Sequence, residues 1–180
     1  MGGGVKSNLG DRLKLPLVLG HEPIPLVAAV GSEVSDVQVG QTYPVNRWIG
    51  CGKRAVCLQG QDNLCNFMAA RGLARPDGFA THLLVPHARY LVDVQGIDPA
   101  QAAVLACSGV TAYSAVGKLG APEEGQWVAV AGCGSPGLIG IAILPAMGHR
   151  NIIACDIDDA KLAVAKASGM AQAHNPGNRS

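Results

Sequence analysis

Three groups of residues in this sequence have the types and spacing to do chemistry. The first is Gly20-His21-Glu22, at the end of a Leu-Pro-Leu-Val-Leu run. Histidine offers a neutral nitrogen to a zinc ion, and the adjacent carboxylate can tune or join such a site. Taken alone, a His-Glu pair reads first as a hydrogen-bonded turn pair. Cys107, in Ala106-Cys107-Ser108-Gly109-Val110-Thr111, reads alone as a packed thiol. The second group is Cys51, Cys57 and Cys65, crowded into one short loop. Clustered thiolates can hold a structural zinc, which normally takes four ligands. Three free thiols in a glycine-rich loop is an equal reading on spacing alone.

The third group is Gly132-Cys133-Gly134-Ser135-Pro136-Gly137, which fits G-x-G-x-x-G. The pattern is weak alone but here follows an expected strand and opens an expected helix. The first glycine makes the turn, the second lets backbone approach a pyrophosphate, and the third allows close helix–sheet packing. Leu138 follows in the same helix start, whose amides face the phosphates. Asp156 stands at the end of the next strand. A carboxylate there accepts ribose hydroxyls and repels a 2′-phosphate, which favours NAD over NADP. An ordinary strand–turn–helix with no ligand is the alternative. Pro136 removes one possible phosphate donor. Pro145 lies inside the expected helix and costs it about 3 kcal/mol, so the helix is expected to end early or kink.

These groups need elements to position them. Before Val94 the pattern is β-like, with short apolar runs at Ile24–Val30 and Phe79–Val85 punctuated by glycine and proline. Asp98-Pro99 reads as a helix start, with Asp98 as N-cap, leading into Ala100–Ala106; a second helix covers Gly109–Lys118. After a linker around Leu119–Gly125 come a strand over Trp127–Ala131, a helix to about Met147, a strand over Asn151–Cys155 and a helix over Asp158–Ser168. Strand, turn, helix, strand, helix begins a parallel βαβ sheet.

Composition narrows the function classes. Of 180 residues, 48% are hydrophobic and 15% charged, which suits a buried core. The net charge of +1 gives no electrostatic reason to expect nucleic acid or an anionic membrane as partner. No apolar run approaches the roughly 18–20 residues that span a bilayer. Residues 1–12 read as a loose lead-in without the apolar stretch of a signal peptide. Six cysteines without such a signal point to a reducing, cytoplasmic setting and to metal or free thiols over disulfides. Cys133 and Cys155, in strand-like surroundings, read as small buried hydrophobes.

Taken together, the motifs resemble the zinc-dependent alcohol dehydrogenases of the medium-chain dehydrogenase/reductase family. The matching stretches are Leu17–Glu22, the Cys51–Cys65 loop with Asn63-Leu64-Cys65, Asp77-Gly78-Phe79-Ala80 with Val85-Pro86, Cys107–Tyr113, and the Gly132–Gly137 turn with Asp156. The resemblance implies an α/β plus β architecture. A GroES-like β-rich catalytic domain would cover residues 1–120, and a partial, doubly wound parallel Rossmann domain residues 121–180.

By position, the resemblance makes His21 and Cys107 ligands of a catalytic zinc. It makes Glu22 the neighbouring carboxylate and Thr111 the residue near the nicotinamide ring. It assigns Cys51, Cys57 and Cys65 to three of four structural zinc positions, with Arg54 where the family has cysteine. Gly132, Gly134, Gly137, Leu138 and Asp156 would bind NAD. No cysteine precedes His21, where the family has a further ligand, and Gln41 stands where the family has aspartate. The implied function is hydride transfer between an alcohol and NAD by an incomplete chain, which as a complete enzyme could be a homo-oligomer. A non-catalytic dinucleotide-binding remnant is the alternative.

Overall fold

The computed structural model describes residues 16–72, 74–168 and 172–178. The expected lead-in over residues 1–12 lies outside them. Chain contacts divide the molecule into two compact units, Met1–Cys107 and Ser108–Ser180.

In the first unit, irregular backbone carries short helical turns. These are α1 (Ala55–Leu58), a 3₁₀ turn at Asp62–Leu64, another at Ala88–Tyr90, and α2 (Pro99–Ala103), which runs into a 3₁₀ turn at Val104–Ala106. Asp98 caps α2 as expected: its carboxylate accepts from the amides of Ala100 and Gln101 at 3.0 and 3.2 Å, and Pro99 occupies the first turn.

The two apolar runs do not become strands. Ile24–Val30 contributes one antiparallel bridge, Leu26 with Thr42. Around it Val27 N–H donates to Gln41 O, Tyr43 N–H to Pro25 O and Val45 N–H to Pro23 O. Pro23, Pro25 and Pro44 have no N–H to give, so the ladder cannot propagate. Phe79–Val85 is likewise without strand structure, and Phe79 and Leu84 lie on the surface at 80% and 86% exposure. Apolar character at these positions therefore marks no inward face. Val37, Tyr43, Val45, Ile49 and Tyr90 are among the buried apolar residues of this unit.

The second unit opens with α3 (Ser108–Val116), followed by a 3₁₀ turn at Gly117–Leu119. The sheet follows: β1 (Trp127–Ala131), α4 (Ser135–Ala146), β2 (Asn151–Cys155), α5 (Asp159–Ala167) and β3 (Gln172–His174). The strands are parallel in the order β1-β2-β3, with Trp127 opposite Asn151 and Cys155 opposite His174. Helix α3 packs on α4 within the second unit.

The core of the unit gathers Val116, Cys133, Ile141, Leu144, Ile152, Ala154, Leu162 and Ala165. Cys133 is buried as expected, whereas Cys155 is only half-buried because it ends β2. Pro145 neither shortens α4 early nor stands in its middle. The helix ends one residue later at Ala146, so the missing N–H falls in the last turn.

Because Ile141 is fully buried in this core, Ile141→Ala is expected to cost roughly 2–5 kcal/mol. Leu84→Ser, on the surface of the other unit, is expected to stay within about 0.5 kcal/mol. Urea unfolding midpoints of the two variants check the contrast.

Candidate metal and dinucleotide sites

Gly20 sets the position of His21. Its φ of +109° is a left-handed value that favours glycine. A Cβ there would stand 2.9 Å from the Gly78 amide nitrogen, and a Cβ on Gly72 would collide with the Gly20 carbonyl oxygen. Asp77 N–H donates to Val18 O at 3.1 Å and Phe79 N–H to Leu19 O at 3.0 Å. The peptide before His21 is thus clamped between two segments that meet backbone to backbone.

The facing segment holds a buried ion pair. Arg71 Nε lies 3.6 Å from Asp77 Oδ1, with side-chain exposures of 4% and 0%. Arg71 also donates to Leu84 O at 2.8 Å. Burial pushes the Asp77 carboxyl up from its ordinary value, and the attraction of Arg71 only partly opposes it. Burial likewise pushes Arg71 down. Desolvation therefore outweighs Coulomb attraction on both partners, as is common for buried pairs.

Cys107 enters from the other side, between the Val104–Ala106 turn and α3. His21, Glu22 and Cys107 each offer one ligand atom, and these atoms lie within 4.8 Å of one another. His21 is exposed; Glu22 and Cys107 are half-buried. Nitrogen, carboxylate oxygen and thiolate sulfur in one place form a donor set that suits zinc. Sequence reasoning missed Arg47, whose Nη1 donates to Cys107 Sγ at 3.6 Å. Its guanidinium carbon lies 5.0 Å from the Trp48 ring centroid, and its Nε is buried without a partner among the described residues. A lone cation inside the Val45–Ile49 run was the available signal.

Cys51, Cys57 and Cys65 also converge, with sulfurs within 4.8 Å of one another and 3.9 Å between Cys51 and Cys57. Backbone amides of Lys53 and Arg54 hold the Cys51 thiol down at about 7, while burial pushes Cys57 up. Arg54 places its guanidinium 4.1 Å from the Phe67 ring centroid. It cannot ligate, so a four-protein-ligand zinc does not fit these residues.

In the second unit, Gly132 turns with φ +94° and its amide donates to Cys155 O at 2.7 Å. A Cβ on Gly137 would collide with the Gly132 carbonyl oxygen, whereas nothing stands near the Cβ position of Gly134. The third glycine is therefore sterically required, and the second leaves open space at the start of α4. Leu138 is half-buried against the core, and its amide donates to Gly134 O. Asp156 Oδ2 accepts from Cys133 N–H at 2.7 Å and Oδ1 from Asp158 N–H at 3.0 Å. The Cys133 amide, then the Asp158 amide, hold its carboxyl below the usual carboxylate range. Thr111 is exposed on α3.

Residues 3–96 match the family described as alcohol dehydrogenase GroES-like domain. The chain is 36% identical to an alcohol dehydrogenase of Geobacillus stearothermophilus over 159 residues, 87% of this chain and 46% of that protein. It is 34% identical to an NAD-dependent alcohol dehydrogenase of Sulfurisphaera tokodaii, over 87% of this chain and 45% of that protein. The crystal structure of an alcohol dehydrogenase from Aeropyrum pernix superposes with a TM-score of 0.83 at 28% identity, over 93% of this chain and 50% of that one. The chain thus spans about half the length of the curated relatives it matches.

Two outcomes follow from this geometry. Asp77→Ala strands the buried Arg71 charge and is expected to cost roughly 3–5 kcal/mol, while Asp77→Ala combined with Arg71→Met recovers much of the loss; urea unfolding of both variants measures this. Asp156 stabilises the folded state above about pH 4, its unfolded value, and loses that contribution as pH falls through its depressed folded value. Asp156→Asn should therefore flatten the fall in unfolding free energy below about pH 4.

Proposed function

Because this chain belongs to the alcohol dehydrogenase family with a GroES-like domain, we propose that it is the zinc- and NAD-binding part of an oxidoreductase. The reaction would move a hydride between an alcohol and NAD, giving an aldehyde or ketone. The observation that carries this reading is the convergence of the adjacent His21 and Glu22 with Cys107, far along the chain, their ligand atoms within 4.8 Å of one another. His21, Cys107 and Glu22 would hold the metal. When bound, zinc supplies Lewis acidity to the substrate oxygen and NAD supplies the hydride acceptor.

The chain's own residues do the positioning. Gly20, Gly72 and Gly78 fix where the imidazole stands, and the Arg71–Asp77 pair holds the segment against which it is set. Arg47 supplies a charge-assisted donor to the Cys107 sulfur. The open space at Gly134 and the amides opening α4 suit a pyrophosphate, with Pro136 contributing none. Asp156 is already aligned by two backbone amides, and its negative charge favours a free ribose over a 2′-phosphate. Leu138 backs this turn from the core side, and Thr111 would serve the nicotinamide end. The catalytic part would cover residues 1–120 and the nucleotide-binding part residues 121–180, in the cytoplasm, where six free thiols are stable.

A second reading is a dinucleotide-binding protein without catalysis. The Arg47 guanidinium on Cys107 Sγ favours it, because a cation already attends the sulfur that zinc would take. Elemental analysis after zinc loading, with NADH formation on a panel of primary and secondary alcohols, separates the two. The proposal expects zinc retention that Cys107→Ser or His21→Ala weakens by at least about tenfold, and alcohol-dependent NADH formation. NAD binding with no zinc dependent on those residues would replace it with the second reading.

A further inference from the structure

We propose that Cys51, Cys57 and Cys65 form a three-sulfur site for a soft monovalent cation of the copper(I) class, in place of a four-coordinate zinc. The proposal stands apart from the reading of the His21 cluster and uses none of its residues.

Three observations carry it. The three sulfurs lie within 4.8 Å of one another, and among the described residues no histidine, aspartate or glutamate joins the set. Zinc in a structural site wants four protein ligands in a tetrahedron. Thiolate donor sets suit copper(I) as well as zinc, so the missing fourth ligand is what separates the two. Three sulfurs converging on one point supply what a low-coordinate soft ion requires.

The surroundings supply no fourth ligand. Arg54, in the middle of the loop, holds its guanidinium on the Phe67 ring at 4.1 Å and does not turn a neutral donor inward. The nearest carboxylate is committed elsewhere: Asp62 Oδ1 is paired with Arg89 Nη2 at 3.4 Å.

Local packing keeps the sulfurs together. Gly50 precedes Cys51, and a Cβ there would stand 2.7 Å from Cys57 Sγ. Cys57 lies in α1 and Cys65 follows the Asp62–Leu64 turn, both nearly fully buried. Cys51 is half-exposed and leaves a path from solvent.

The test uses the full chain carrying Cys107→Ser, which removes the sulfur of the other cluster. It is titrated without oxygen with copper(I) against a coloured copper(I) chelator, and separately with zinc against a coloured zinc chelator. The expected result is one equivalent of copper(I) held against the chelator and lost on adding Cys51→Ser or Cys57→Ser. Cys57 is buried and its replacement can unfold the loop; Cys51, nearer solvent, gives the independent reading, with circular dichroism recorded for both. Restoring a fourth sulfur by Arg54→Cys should tighten zinc by at least about a hundredfold, beyond the usual cost of a lost outer-shell partner. Copper(I) uptake unchanged by Cys51→Ser, or zinc held as tightly with Arg54 as in the Arg54→Cys variant, would overturn the proposal.

Discussion

The reading of the His21 cluster depends on one close approach: the Gly20 peptide against the backbone of Gly72 and Gly78. A Cβ on Gly20 or Gly72 would meet backbone here, and one on Gly78 would meet the Pro23 side chain, so none of the three positions has room for a side chain. Two backbone hydrogen bonds, Asp77 to Val18 and Phe79 to Leu19, fasten the contact. The Arg71–Asp77 pair sits in the same segment and is costly to keep dry. Its presence fits a role in fixing this one geometry better than a role in net stability.

The two donor clusters of the unit differ in kind. One mixes nitrogen, oxygen and sulfur; the other is sulfur alone. Each has an arginine nearby, with a different consequence. Arg47 donates directly to the Cys107 sulfur. Arg54 lies over an aromatic ring and leaves a corner of its cluster without a ligand. A guanidinium cannot be neutralised at ordinary pH, so both are permanent features of the local field.

In the second unit, the glycine turn and Asp156 form one piece of structure before any ligand arrives. The Asp156 carboxylate joins the end of β2 to the amide of Cys133 inside the turn. The groups expected to meet the two ends of an adenosine diphosphate are thereby held in fixed relation, which reduces the ordering that binding must impose.

The sequence alone determined the second unit well. Trp127–Ala131 and Asn151–Cys155 form strands with the expected ends, and in the first unit Asp98 caps its helix, because short apolar runs and capping residues act locally. It also brought forward His21 and Glu22 as candidates from residue type, and joined Cys107 to them through resemblance. Only the tertiary structure decided the rest. Ile24–Val30 and Phe79–Val85 look like strands but form none, since strand formation needs a partner's donors and acceptors, and prolines remove several of them. Arg47 was invisible beforehand because its meaning lies in a contact with a residue far along the chain. The convergence of the donor atoms is likewise a property of the folded chain: residue type is written locally, but a distance between remote side chains is fixed only when backbone closes upon backbone.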